Sequence, residues 1–513
     1  MTEWHFAQGK YLIVGVCAWV WASAGAGAVE ASPMVLDPSL QVQTVVTGLT
    51  TPTTMAFIGV NDALVLEKAT GKVQRVVNGA IQSTVLDLPV NSFSERGLLG
   101  IALDPNFTSN RGVYLYWTQS SVGVDTTDGA AVPLLGNRVD RFVWNGSTLT
   151  LDRNLIQLRA FQADAGQPLR GNQNGGVLRF GPDGKLYIVV GDEGRRGQTQ
   201  NLANGPLGPG ISDDQFGGPQ PDNAHLSGVI LRLNPDGTTP ANNPFFAVGA
   251  ALGGEVGANT QKIFAYGIRN SFGMAFDPRS GQLWIQDNGD DSFDEINRIT
   301  SGTNGGWIQI MGPVDRIADF KTIENDPLFF GLQQIRWPPT NIADTPADAL
   351  ARLVMLPGAT YSDPEFSWKF GVAPGGLGFM AGGGLGSTYD GAMFVGAATP
   401  NLEGGYLFRF DLTGNRLGLA LADPRLADLV ADNMQKFDLT ESESLLFGKG
   451  FGVVTDIQTG PNGNLFVVSL SDGAIYEISA TAKAPTLPTW TLLALSCLVI
   501  AACRRRCRER PAT

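Results

Sequence analysis

Apolar residues along this chain come in short runs broken at regular intervals by turn residues. The clearest instance is 173–194, QNGGVLRFGPDGKLYIVVGDEG. Val177, Leu178 and Phe180 lead into Gly181-Pro182-Asp183-Gly184, where Pro presets φ and Gly permits a positive φ. Leu186 to Val190 run back and stop at Gly191-Asp192-Glu193-Gly194. The pattern predicts a β-hairpin, which returns its far ends to one edge. Gln173 and Asp192 are therefore expected to be neighbours, two polar groups at the end of a buried strand pair.

Variants of this segment recur. Thr70-Gly71 divides the apolar runs of 63–76, Asp104-Pro105-Asn106 precedes the run 113–117, and Asp277-Pro278-Arg279-Ser280-Gly281 precedes Leu283-Trp284-Ile285. Segment 392–411 has the same form, and Gly460-Pro461-Asn462-Gly463 precedes the run 465–468. Short strands with evenly spaced turn signals indicate an all-β array. Six units over 35–480 allow roughly 74 residues each, enough for a four-stranded blade with loops. The expected fold class is all-β, a six-bladed β-propeller, in which radial closure protects sheet edges. Two stacked sandwiches are the alternative, and the evenness of the repeats disfavours them. Repeated amphipathic-helix periodicity is not seen. The Gly-, Pro- and Asp-rich insertions 195–224 and 313–364 are expected to be surface loops overhanging one face.

Composition agrees with one large, turn-rich body: 43% of the 513 residues are hydrophobic and 16% charged, with 65 glycines and 30 prolines. The two ends differ from the body. Lys10 precedes an apolar run at 11–21, followed by Ala26-Gly27-Ala28, the pattern of a cleavable signal peptide over 1–28; a buried N-terminal helix is the other reading. At the far end Pro485-Thr486-Leu487-Pro488-Thr489-Trp490 leads into an apolar stretch ending at Cys503, then Arg504, Arg505, Arg506, Arg508 and Arg510. The 14 residues from Trp490 to Cys503 would span about 21 Å as a helix, short for a hydrocarbon core of ~30 Å but able to insert with the arginines on the cytoplasmic side. Cys17, Cys497, Cys503 and Cys507 all lie in these ends, so the body has no disulfide available and relies on core and sheet closure. The net charge of −12 becomes −16 without 1–28, where Lys10 balances Glu3, and without 484–513, where five arginines face Glu509. A body so acidic argues against nucleic acid as a partner.

Two resemblances follow from particular residues. The tail 485–510 resembles the C-terminal sorting signals (PEP-CTERM or IPTL-CTERM type) of Gram-negative bacteria. That resemblance implies a transient inner-membrane anchor removed by a sorting protease; a permanent anchor is the competing reading. In the body, Glu95-Arg96-Gly97-Leu98-Leu99-Gly100-Ile101-Ala102-Leu103-Asp104-Pro105 resembles a run of the glucose/sorbosone dehydrogenase family. So do Ala265-Tyr266-Gly267-Ile268-Arg269-Asn270, Asp294-Glu295-Ile296-Asn297, Asn304-Gly305-Gly306-Trp307, Val372-Ala373-Pro374 and segment 456–463. The resemblance spans about 45–478. It implies a secreted or periplasmic six-bladed propeller oxidising an aldose sugar with pyrroloquinoline quinone (PQQ) and Ca²⁺. Such a site needs a base for the sugar hydroxyl proton as hydride passes to the quinone. It also needs cations for the three PQQ carboxylates, and carbonyl oxygens for Ca²⁺.

Carried over by position, the resemblance places Glu95 near substrate and makes Asp192 the carboxylate that orients the base. Arg269 and Asn270 become cofactor contacts, and the carbonyls of Gly289 and Asp290 become Ca²⁺ ligands. The base histidine falls on Gln173, whose amide accepts no proton at neutral pH. Two arginines expected just before Asp456 are Val453 and Thr455, and a cofactor-facing lysine falls on Glu403. His225 is the body's single histidine. It is read either as a relocated base reaching over the site or, more plainly, as a solvent-exposed loop histidine. Asp287, Asp290, Asp291 and Asp294 around Gly289, and Asp213, Asp214 and Asp222, suit either Ca²⁺ or ordinary turns. Trp307 and Trp337 are candidates for a sugar platform or for blade core. The expected function is exported PQQ-dependent aldose oxidation, put in question by Gln173. The alternative is a catalytically inactive propeller binding carbohydrate or protein at the cell surface.

Overall fold

The hairpin predicted around Pro182-Asp183 forms in the computed structural model: Leu178–Phe180 pairs antiparallel with Leu186–Val190, Leu178 opposite Ile188. The structure describes residues 32–161, 171–194, 198–202, 225–326, 339–399 and 404–481. The predicted signal segment and sorting tail lie outside them, as do Arg195, Arg196, Asp213, Asp214, Asp222, Trp337 and Glu403. Among the described residues no helix is long and apolar enough to cross a membrane.

Six sheets are built from strands that mostly follow one another in the chain. Pro52–Gly59 opens one of four strands and Leu98–Leu103 the next four-stranded sheet. Leu178–Phe180 opens a six-stranded sheet, Met274–Phe276 and Pro374–Phe379 two five-stranded ones, and Val454–Thr459 the last, four-stranded. The opening strands touch in cyclic order, the last meeting the first. The outcome is an all-β propeller. Its ring is closed by the N-terminal strand Leu40–Val46, which pairs with the C-terminal Ala474–Ala480 from Leu40 opposite Ala480 onward.

Alternation along each strand sends side chains to both faces, and here both faces are covered by neighbouring sheets. The apolar clusters accordingly sit between consecutive sheets: Tyr116 and Val139 with Leu186 and Leu231, Trp284 and Trp368 with Phe408 and Phe410. At the centre the opening strands come too close for side chains. A Cβ on Gly100 would stand 2.0 Å from the carbonyl oxygen of Gly176. The remaining central space is crossed by an ion pair, Arg179 to Asp456 at 2.8 Å. Asp456 also accepts from Thr54 Oγ1 at 2.6 Å and the Met55 N–H at 3.2 Å.

One expectation is corrected. The insertion 313–364 is not simply a surface loop. It carries helices Ile317–Glu324 and Pro346–Ala351, and Ile317, Phe320, Ile342 and Ala349 pack with Phe293 and Trp307 in a core of their own. Its apolar residues are too few and too interrupted by Pro and Gly to show a helical period, yet together they cap the face that carries the site.

Candidate functional site

The site stands where the strands of the Leu178–Phe180 and Met274–Phe276 sheets end, beside the turn at Glu95. Several residues there hold left-handed backbone although they are not glycine: Ser94 (φ 53°), Gln173 (φ 60°), Glu193 (φ 51°) and Phe293 (φ 57°). Such conformations cost of order 1–3 kcal/mol each and gather where the surrounding structure holds them for a purpose. Gly191 makes the closest approach possible, since a Cβ there would lie 2.0 Å from the Gln173 carbonyl oxygen.

Gln173 is buried, and its amide is oriented by its neighbours. The NH2 group donates to Asp192 Oδ1 and the oxygen accepts from Arg269 Nη2 at 2.7 Å. The Gln173 backbone N–H donates to Glu95 Oε2 at 2.6 Å, and Asn270 Nδ2 donates to the same oxygen at 3.0 Å. Gln173, Asp192, Glu95, Arg269 and Asn270, four of them separated widely in sequence, therefore form one hydrogen-bonded group.

Asp192 has its other carboxylate oxygen on Trp307 Nε1 at 2.8 Å, while Oδ1 also receives the Gly194 N–H at 2.7 Å. Trp307 is a core residue, 1% exposed, so it offers no open sugar platform. It orients Asp192 and lies under the Arg269 guanidinium at 5.4 Å. Sequence reading missed this contact, since an indole in a blade reads first as packing.

Arg269 donates from Nη1 to the Asn288 carbonyl at 2.8 Å and from Nη2 to Asp290 at 2.9 Å. Burial alone would lower its pKa, but Asp290, Asp192, Asp287 and Glu324 outweigh that and hold it charged. Asp287 accepts the N–H groups of Arg269 at 2.9 Å and Asn270 at 2.6 Å. Asp294 accepts those of Gly289, Val372 and Ala373 at 2.8, 2.6 and 2.7 Å. These two acids are backbone clamps, so of the two readings offered for them the ordinary turn role is the one their contacts support. No cluster of metal-ligating side chains occurs among the described residues.

His225 is 6% exposed, which corrects the exposed-loop reading. Its Nε2 lies 2.9 Å from Arg159 Nη2. A guanidinium can only donate, so in this contact that nitrogen presents its lone pair. A lone pair already bound to a cation is poorly placed to take a substrate proton.

Burial pushes several carboxyls upward. Glu95 is raised by burial against the donors from Gln173 and Asn270. Asp287 is pushed up to about 7 by burial, against the N–H groups it accepts. Glu295 is pushed up to about 8 by burial and by the charge of Asp287. A carboxyl whose folded pKa exceeds its unfolded value of about 4 binds its proton better in the folded state. Its stabilising contribution is thus complete below about pH 4 and is lost as pH rises through 8. Glu295→Gln should flatten the fall in stability between pH 5 and 8, by up to about 1.4 kcal/mol per pH unit in that range. An unchanged slope in a pH series of thermal melts would refute the assignment.

Residues 49–315, just over half of the chain, match the sequence profile described as glucose/sorbosone dehydrogenase. The chain belongs to this family. A 262-residue segment is 32% identical to quinoprotein glucose dehydrogenase B of Acinetobacter calcoaceticus, covering 50% of this chain and 49% of the relative. A 258-residue segment is 29% identical to the aldose sugar dehydrogenase YliI of Escherichia coli, covering 50% and 58%. The matched segments thus span about half to three fifths of these relatives. Among solved structures, the apo form of the E. coli soluble aldose sugar dehydrogenase superposes with a TM-score of 0.56 at 22% identity, over 86% of this chain and 100% of that one. The PQQ-bound aldose sugar dehydrogenase of Streptomyces coelicolor gives 0.52 at 23%, over 86% and 98%. At these identities the superpositions establish the shared fold.

The donor set decides how well this family member suits the cofactor. Both Nη atoms of Arg269 are already engaged by Asn288, Asp290 and Gln173. Val453 is apolar, and the Thr455 hydroxyl donates to the Pro52 carbonyl at 3.1 Å. Glu95, Asp192, Asp287 and Asp290 crowd the same place with carboxyl groups, and none of them supplies a cation. The described residues therefore do not fit a tricarboxylate. Two buried atoms of adjacent residues lack hydrogen-bond partners, Arg269 Nε and Asn270 Oδ1. One is a donor and one an acceptor, the pair that a neutral hydroxyl satisfies and a carboxylate does not.

Proposed function

We propose that this chain is an exported, six-bladed sugar-binding member of the glucose/sorbosone dehydrogenase family that has lost hydride transfer to PQQ. Gln173 carries this reading. It stands at the position the family resemblance gives to the base, and its amide is locked between Asp192 and Arg269. An amide cannot take up the hydroxyl proton that must leave as hydride departs. The retained group of Glu95, Asn270 and Arg269 leaves Arg269 Nε and Asn270 Oδ1 for a neutral polyol. Family membership makes an aldose or a polysaccharide built from one the favoured ligand. Export and a removable tail rest on the sequence of 1–28 and 485–510.

A second reading, PQQ-dependent aldose oxidation, is favoured by the kept Asp192–Arg269–Asn270 arrangement; any Ca²⁺ or PQQ chemistry would belong to it. The two separate in one experiment on the purified exported protein. Calorimetry with a panel of aldoses and oligosaccharides should give saturable binding that falls at least about tenfold in Asn270→Ala, the loss of about 1.4 kcal/mol expected for one buried polar contact. A dye-linked aldose assay with added PQQ and Ca²⁺ should give no turnover. PQQ-dependent turnover in the wild type would establish the second reading, and absence of any sugar binding would remove the first.

A further inference from the structure

Gly289 and Asp290 are the residues whose carbonyls the family resemblance assigns to Ca²⁺, yet the Asp290 carbonyl already has a cation. Lys436 Nζ donates to it at 3.0 Å, and the same ammonium forms an ion pair with the Asp291 carboxylate. The lysine is presented from a distant segment that is itself pinned. Asn433 accepts the Phe370 N–H at 2.7 Å and donates to the Phe370 carbonyl at 2.8 Å, and the Phe437 N–H donates to the Gly371 carbonyl at 2.9 Å.

The turn around this ammonium is lined by acceptor oxygens. Asp290 spends its carboxylate on Arg269 at 2.9 Å, with both side chains about 95% buried. Glu324, fully buried, uses Oε1 for the N–H groups of Asp291 and Ser292, each at 3.1 Å, and for Ser292 Oγ at 2.7 Å. Its Oε2 has no hydrogen-bond partner. Carbonyl and carboxylate oxygens with one unsatisfied buried oxygen nearby are the ligand types that Ca²⁺ takes, at 2.3–2.6 Å. Here the turn is served by a monovalent ammonium instead, and a divalent ion on the same carbonyl oxygen would be repelled by it.

We infer that Lys436 is a built-in cation that replaces Ca²⁺ at the Gly289-Asp290 turn, so that this propeller holds its acidic turn without metal there. Removing the lysine should open a divalent-cation site. The inference stands independently of whether the neighbouring site binds or oxidises a sugar, because its readout is ion uptake and not activity.

The test compares the wild-type chain with Lys436→Gln, Lys436→Met and Lys436→Arg, using Ca²⁺ alone as the probe. The Lys436 side chain is 26% exposed, so substitution leaves no sealed cavity. Calorimetry should find one more Ca²⁺ per chain in Lys436→Gln and Lys436→Met than in the wild type, and no gain in Lys436→Arg. With Ca²⁺ a hundredfold above its Kd, the melting temperature of the two neutral variants should rise by about 3 °C, as mass action predicts for a body of this size. Addition of Asp291→Asn to Lys436→Gln should abolish the gain. Equal Ca²⁺ uptake by wild type and both neutral variants would overturn the inference. So would Ca²⁺ uptake by the wild type that Asp291→Asn abolishes, an outcome that needs no Lys436 variant to fold.

Discussion

Arg269→Met should destabilise the protein by about 3–5 kcal/mol, the cost of leaving a buried charge without its partner. The guanidinium is 4% exposed and the Asp290 carboxylate 5%. Methionine fills much of the volume but donates nothing, so Asp290, the Asn288 carbonyl and the Gln173 amide oxygen all lose a donor at once. Asp192 and Asp287 lose the charge that offsets their own. Arg269→Lys should recover part of the loss, since an ammonium keeps the charge but cannot reach acceptors spread around a planar fork. Asp290→Asn in the Met background should recover more than it costs alone, because it removes the stranded carboxylate. Urea denaturation of the wild type, the three single variants and the double variant measures these differences. Arg269→Met with an unchanged midpoint would mean that the site group is not mutually dependent.

Asp456→Ala should cost a similar amount, about 3–5 kcal/mol, for a topological reason. This side chain, 2% exposed, belongs to the last sheet. It accepts from Thr54 and Met55 of the first sheet, from Arg179 of the third, and from Gln458 beside it at 2.5 Å. Its loss strands the Arg179 guanidinium in the central channel and weakens the seam where the end of the chain meets its start. Asp456→Asn should fall between wild type and Ala, keeping an acceptor for Thr54 while losing the ion pair. The pair of Arg409 with Asp411, held at 2.8 Å, leaves the Asp411 side chain 52% exposed, and Arg409 keeps the Thr388 carbonyl and the Tyr389 ring without it, so Asp411→Ala should move the midpoint far less. Equal effects at the two positions would remove the special role given to the seam.

Much of the fold was legible before any coordinates. Gly181-Pro182-Asp183-Gly184 and Gly460-Pro461-Asn462-Gly463 mark turns by backbone chemistry alone, and the strands flanking them form as the patterns predict. The meeting of Gln173 with Asp192 follows from hairpin geometry, since an ungapped hairpin leaves its ends no other place. Less could be read where the answer depends on what covers a segment. His225 follows a long polar insertion and so reads as exposed, yet it is buried with Arg159 against its Nε2. The helices of 313–364 escape notice for the same reason, because their apolar faces acquire meaning only against Phe293 and Trp307.

By itself, then, the sequence determined the local units: strands from alternating apolar runs, turns from Gly, Pro and Asp, and an amide at position 173 beside Asp192. Those features depend on residues a few positions apart, where backbone sterics and side-chain period suffice. Only the tertiary structure decided which charges meet. Glu95 reaches Asn270 across 175 residues and Lys436 reaches the Asp290 carbonyl across 146. Coulomb energy depends on separation in space and on the dielectric around the pair, and both of those are set by the closing of the ring.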